Sequence, residues 1–278
     1  MKKYLVIGNP IEHSLSPKLH NYWIKENNIA AVYEKKKLEK NDIEVIIGDI
    51  KKGKIDGINV TVPFKNYVIV YLDQLTSLAY ATQSVNTVFK KNDKIVGHNT
   101  DVGGFEYALK NINFNVKEKE ILILGAGGVV SSIILALNNL GASRIYLTNR
   151  TQEKADKMKQ LYKNLKIINW EIISDPLTFK NLNFDMFINA TSIGLQKDDE
   201  INLGCFSAFR KYDLGKNKLF YDVIYNPKET KFLLKAKQTG HQIENGKMMF
   251  VYQAQLAFKI WHKILPKIDS KTINLIDI

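Results

Sequence analysis

Over residues 57–65 the chain reads GINVTVPFK, and apolar and polar positions alternate strictly: Ile58, Val60 and Val62 on one side, Asn59 and Thr61 on the other. That period of two predicts a strand with one apolar and one polar face. Pro63 cannot donate to a sheet ladder, so the strand should end there and turn, bringing Lys65 to its C-terminal edge. An amide, a hydroxyl and an ammonium would then stand together. Taken alone, the same pattern also describes an edge strand with a wet face and an exposed lysine.

The flanking segments repeat the motif of a strand end or helix start that carries a polar cluster. Residues 4–7 form a short apolar strand, and Gly8-Asn9-Pro10 turns out of it. Ser16 before Pro17 predicts an N-cap and first helical position, leaving Ser14 without a structural role. Two hydroxyls at a helix start suit a carboxylate or a sugar-like hydroxyl. A βα alternation occupies 33–55, a helix is predicted over 68–81, and a strand over 84–88 contains Asn86, an amide that must find a partner if buried. Asp93 marks a hairpin turn. After it, Asp101 is predicted to cap a helix beginning near Gly103, and it is the carboxylate closest to the cluster if its strand neighbours 57–65.

The pattern then changes. Residues 121–124 are a continuous apolar strand of the parallel type, running into Gly125-Ala126-Gly127-Gly128. Helical spacing over 129–140, Gly141 and a second strand over 144–148 complete a βαβ unit whose first turn aims backbone amides at a pyrophosphate. Val130 stands where the third glycine of the usual pattern would be. Asn149-Arg150-Thr151 closes the second strand, where an NAD site would place an acid; the arginine favours a 2′-phosphate, and Thr151 could equally be a plain N-cap. Strands over 184–188 and 219–224 open into loops bearing Thr191, Ser192 and Tyr225, at the sheet ends where ligands of such folds bind. Asn245-Gly246 leads to a helix over 247–265, from which Gln253 could reach a ligand or face solvent.

Composition changes this picture little. A chain of 278 residues that is 45% hydrophobic can bury two cores, which makes two lobes the expectation. Forty basic against 28 acidic residues leave a net charge of +12, but arginine occurs only at Arg144, Arg150 and Arg210 and the lysines are dispersed, so nucleic-acid binding is not expected. Asn9-Pro10 interrupts the N-terminal apolar run, so no signal peptide or membrane span is expected. A single cysteine, Cys205, excludes an internal disulfide and fits a cytoplasmic setting. The five histidines show no metal-ligand spacing, and no metal site is expected.

Taken in order, His13-Ser14-Leu15-Ser16-Pro17 with His20-Asn21, Asn59-Val60-Thr61-Val62-Pro63-Phe64-Lys65, Val85-Asn86-Thr87, Asn99-Thr100-Asp101, Gly125-Ala126-Gly127-Gly128, Asn149-Arg150-Thr151, and Gly246 with Gln253 resemble the motifs of shikimate dehydrogenases along nearly the whole chain. The resemblance implies an α/β protein of two lobes with the active site in the cleft between them. A substrate lobe with a mixed sheet is expected over 1–101 plus 245–278, and a Rossmann-type NADP lobe over 102–244. It implies substrate contacts from Ser14, Ser16, Asn59, Thr61, Lys65, Asn86, Asp101, Tyr225 and Gln253, with Lys65 catalytic beside Asp101. Cofactor contacts would come from Gly125, Ala126, Gly127, Gly128, Asn149, Arg150, Thr151, Thr191, Ser192 and Gly246. The implied reaction is NADP-dependent interconversion of 3-dehydroshikimate and shikimate, on the route to chorismate and aromatic amino acids.

Two departures from the family pattern stand out. Ser131 replaces a basic residue common after the glycine turn, and Thr82-Gln83-Ser84 replaces a small, apolar approach to the Asn86 strand. Three alternatives stay open: a quinate/shikimate dehydrogenase preferring NAD, a non-catalytic ligand-binding protein on the same lobes, and a two-lobe NADP enzyme acting on another ligand, such as a folate dehydrogenase. Assembly is open as well, a homodimer included.

Overall fold

The computed structural model describes residues 1–196 and 198–277. The chain forms two compact units, Met1–Tyr107 with Phe250–Ile278 and Ala108–Met249, each built on one six-stranded sheet. The chain therefore passes between units inside two helices, whereas the sequence had suggested breaks at 101/102 and 244/245.

The first unit contains β1 (Lys2–Gly8), α1 (Ser16–Glu26), β2 (Ala31–Lys37), α2 (Ile43–Lys51), β3 (Gly57–Val60), β4 (Gln74–Leu75), α3 (Ser77–Thr82), β5 (Thr87–Lys91), β6 (Lys94–His98) and the start of α4 (Asp101–Asn111). Its sheet runs β2-β1-β3-β5-β6-β4 and is mixed, because β5 pairs antiparallel with both β3 and β6. Period-two alternation in β1 sends Leu5 and Ile7 into one core with Ile43, Ile46 and Ile58, and Tyr4 and Val6 into another with Trp23, Tyr33 and Phe258.

The strand expected from Gly57 up to Pro63 is shorter than its alternation suggested. β3 ends at Val60, and Val62 is 58% exposed instead of continuing the apolar face. Nor is the polar face wet, since Asn59 is buried against the second core. The helix expected over 68–81 is broken. A 3-10 turn over Tyr67–Tyr71 gives way to β4, which pairs with β6, and the Asp73 carboxylate accepts the Ile95 amide at 2.7 Å. Sheet pairing there outweighs helical spacing, as tertiary contacts commonly do.

The second unit contains β7 (Glu120–Leu124), α5 (Val130–Asn139), β8 (Arg144–Thr148), α6 (Gln152–Leu161), β9 (Lys166–Ile167), α7 (Pro176–Asn181), β10 (Met186–Asn189), α8 (Cys205–Lys211), β11 (Leu219–Asp222), α9 (Lys231–Gln238) and β12 (Gln242–Asn245). The order β12-β11-β10-β7-β8-β9 is wholly parallel, with the reversal of winding beside β7. An aromatic core lies on one face, where Phe187 and Phe220 stack at 4.5 Å. The chain returns through α10 (Lys247–His262) and closes with α11 (Ser270–Leu275). Among the described residues no helix is long and apolar enough to cross a membrane.

Candidate active site

In the first unit the polar residues meet at the C-terminal ends of β1 and β3. After β3 the chain turns, with the Phe64 amide bonded to the Thr61 carbonyl at 2.9 Å and Phe64 buried as the anchor. Lys65 follows, and its carbonyl accepts the Val85 amide at 2.9 Å, which pins the lysine backbone to the approach of β5. From there its Nζ donates to Asp101 Oδ2 at 2.6 Å; the two side chains are only 11% and 7% exposed. Removing one member of so dry a pair would strand the other charge, at a cost of about 3–5 kcal/mol.

Asp101 was expected to cap α4 from outside. It is instead the first residue of that helix, and Asn99 Oδ1 accepts the Asp101 and Val102 amides at 3.0 and 3.3 Å. That substitution of caps leaves the Asp101 carboxylate for Lys65 and for Asn86, whose Nδ2 donates to Oδ1 at 2.9 Å. It also gives Thr82 of the 82–84 segment a role. Asn99 Nδ2 donates to Thr82 Oγ1 and to the Ser84 carbonyl, so this segment holds the residue that caps Asp101.

The serine roles are likewise reversed. Leu15 occupies the N-cap of α1, Ser16 lies inside the helix, and Ser14 Oγ accepts the Ser16 amide at 3.4 Å. The Ser16 hydroxyl instead hydrogen-bonds Tyr33, whose phenol burial pushes well above its ordinary pKa. Tyr33, which the sequence reading missed, donates to Asn59 Oδ1 at 2.6 Å and stacks on His20 at 4.2 Å. Its signal was only that of an aromatic in a strand.

Geometry divides the expected substrate groups into two classes. Asn59 spends both N–H groups on the Asn86 carbonyl and Thr87 Oγ1, at 3.0 and 3.1 Å. Asn86, 2% exposed, donates to Thr100 and Asp101 and accepts from the Thr100 amide and Thr87 hydroxyl. These amides are saturated by protein, and they orient their neighbours. By contrast the Thr61 hydroxyl bonds no protein group among the described residues, and Lys65 keeps two N–H bonds uncommitted. Gln253 is half committed, accepting from Asn86 at 3.4 Å and donating to the Phe250 carbonyl at 2.9 Å.

In the second unit the glycine turn follows β7. Gly125 adopts φ +107°, and a Cβ there would lie 2.8 Å from the Ala190 carbonyl oxygen, so both backbone and packing require glycine. Gly127 differs, for a Cβ would meet nothing nearer than 3.9 Å and its φ lies outside the left-handed region. Neither fold constraint explains that glycine; a bare backbone beside the start of α5 fits close approach of a phosphate. Gly246 is explained by packing alone, because its Cβ would collide with the Val223 carbonyl.

Arg150, beyond β8, is exposed and bonds no group among the described residues, while Thr151 sits at the N-cap of α6 without a side-chain cap bond. The plain-cap reading of Thr151 is therefore not what its hydroxyl does. Asn149 Nδ2 donates to the Thr151 carbonyl at 2.8 Å and shapes this turn. Ser131 is buried, and its carbonyl accepts the Tyr162 hydroxyl, so it faces the fold rather than the glycine turn's exterior. Thr191 Oγ1 donates to Asn189 Oδ1 at 2.7 Å, Ser192 is exposed, and Tyr225 is half-buried after β11. Among the described residues no group of three or more His, Cys, Asp or Glu side chains could hold a metal ion.

Comparison with known proteins bears on both units. The shikimate dehydrogenase substrate binding domain model matches residues 6–88, and the shikimate/quinate 5-dehydrogenase model matches residues 106–194. The shikimate dehydrogenase (NADP(+)) of Pelagibacter ubique is 54% identical over 277 residues, covering 100% of this chain and 99% of that one. The chain belongs to the shikimate dehydrogenase family. Among solved structures, shikimate dehydrogenase from Aquifex aeolicus is 37% identical with a TM-score of 0.85, the match covering 99% of this chain and 96% of that one. Shikimate 5-dehydrogenase from Thermus thermophilus, solved in complex with NADP(H) and shikimate, is 27% identical with a TM-score of 0.84, covering 98% and 97%. As in those shikimate dehydrogenases, the fold is α/β, with one mixed and one parallel sheet.

Proposed function

We propose that this chain is an NADP-dependent shikimate dehydrogenase, reversibly reducing 3-dehydroshikimate to shikimate, with the first unit as substrate lobe and the second as NADP lobe. The observation that carries the chemistry is the Lys65–Asp101 pair, an ammonium held at 2.6 Å by a nearly buried carboxylate amid polar groups free to take a ligand. NADPH, when bound, supplies the hydride that reduces the ketone carbon. Lys65 Nζ donates the proton that the ketone oxygen takes as it becomes a hydroxyl, and in the oxidising direction the neutral amine takes it back. Asp101 holds the ammonium in place, and Asn86 orients Asp101.

Ser14, Ser16, Thr61 and Gln253 are the groups proposed to bind the substrate's carboxylate and hydroxyls, with Tyr225 as a further contact. Glycines 125, 127 and 128 with Ala126 would receive the pyrophosphate, and Arg150 with Thr151 the 2′-phosphate. The uncommitted guanidinium of Arg150 and the lack of an acid at that strand end favour NADP over NAD. A cytoplasmic setting is proposed from the single cysteine, since a chain with only Cys205 holds no internal disulfide.

Nicotinamide absorbance, followed with shikimate or quinate and with NADP⁺ or NAD⁺, tests this reading. Turnover concentrated on shikimate with NADP⁺ is expected. Equal rates with NAD⁺ would remove Arg150 as the selector, and no turnover with any pair would leave a ligand-binding protein on the same fold.

A further inference from the structure

We propose that Asp222 is a positioning residue for the dinucleotide, tying together the two loops that leave β10 and β11 and so fixing the backbone that the cofactor meets. The inference rests on the reading of the second unit as the NADP lobe. Asp222 ends β11 in direct register with Asn189 at the end of β10, and both are fully buried. Asn189 Nδ2 donates to both carboxylate oxygens at 3.1 Å and to the Ile193 carbonyl at 3.0 Å, while its Oδ1 accepts the amide and hydroxyl of Thr191. One hydrogen-bonded unit thus shapes the loop that bears Thr191 and Ser192.

The same carboxylate reaches the second loop. Its Oδ1 accepts the Ile224 amide at 3.0 Å, next to Tyr225, and its Oδ2 accepts the Thr230 hydroxyl at 2.6 Å, where α9 begins. Thr230 in turn packs against Gly194 of the first loop, within 3.1 Å of where a Cβ would stand. No lysine or arginine pairs with Asp222 among the described residues. A buried carboxylate without a cation is costly, and an apolar side chain of similar volume would avoid that cost. What the charge contributes here is four hydrogen bonds that set loop geometry at the sheet end where dinucleotides bind.

Equilibrium binding of NADP⁺ and, separately, of shikimate to the full chain tests the inference, with thermal midpoints alongside, for Asp222→Asn, Asp222→Leu and Thr230→Val. Asp222→Leu should weaken NADP⁺ by about tenfold or more, because misplacing contact groups by an ångström suffices for such losses, and weaken shikimate less, since only Tyr225 of the proposed substrate contacts lies beside this network. Asp222→Asn should fall between, since its amide can still accept from Ile224 while donating to the Thr230 hydroxyl. Wild-type NADP⁺ affinity in every folded variant, with only the midpoint lowered, would overturn the inference and leave Asp222 a stability residue. Equal weakening of both ligands would overturn it too. If Asp222→Leu does not fold, the other two variants decide in the same way. Failure of the unmutated chain to bind NADP⁺ would overturn the NADP reading itself, and this inference with it.

Discussion

At the residue scale, the proton-transfer role proposed for Lys65 is separable from its packing. Replacing it with alanine should cut turnover by about 10² to 10⁴ if Lys65 Nζ moves the proton; a raised KM with unchanged kcat would reduce it to a positioning charge. The glycines offer a second contrast at this scale. Gly127→Ala adds a methyl where nothing lies within 3.9 Å, so it should leave the thermal midpoint near wild type and lower NADP⁺ affinity. Gly246→Ala forces a methyl into the Val223 carbonyl and should destabilise the second unit by about 1–3 kcal/mol. Both thermal midpoints moving equally would contradict this division. The residue types of the site were readable because lysine, carboxylate, hydroxyls and amides ended apolar runs. Which of them are spent on one another, as Asn59 and Asn86 are, was not, because hydrogen-bond saturation depends on partners up to 167 residues apart in sequence.

At the scale of elements, the end of β8 is where the choice of cofactor is proposed to be made. Arg150→Ala removes a guanidinium that bonds no group among the described residues and should weaken NADP⁺ by about tenfold or more while sparing NAD⁺; a parallel loss for both dinucleotides would show that Arg150 does not read the phosphate. Regular elements with one strong period, such as α5 and β7, matched their sequence pattern closely. The segment 68–81 did not, since its helical spacing lost to the pairing of β4 with β6 and to the Asp73 bond with Ile95. Helix starts were similarly misread at Ser16 and Asp101: several nearby polar side chains could cap each helix, and local sequence does not say which one turns toward the free amides.

For the whole molecule, the buried histidines of the first unit and Asp222 of the second should answer acid in opposite senses. In the first unit burial holds His20 down at about 3 and His262 at about 4, below the ordinary 6.5, so both fold as neutral rings. Their contribution is fully present above pH 6.5 and is lost as pH falls through that value toward the folded pKa values. In the second unit burial raises Asp222 from 3.8 to about 6, so its contribution is present below 3.8 and is lost as pH rises through about 6. Between pH 7 and pH 4, hydrogen exchange should therefore show protection falling around His20 and His262 and rising around Asp222. His20→Phe should flatten the first response and Asp222→Asn the second; unaltered pH profiles in both variants would refute the assignment. The sequence by itself determined the βαβ unit and the chemical types at each strand end, because periodicity and turn residues are local properties, and its motifs carried the resemblance that implied one mixed and one Rossmann-type sheet. Only the tertiary structure decided where the units divide, that Asn99 and not Asp101 caps α4, and that Tyr33 and Asp222 organise the loops and amides around them. Those outcomes depend on burial and on partners distant in the chain, which no local pattern encodes.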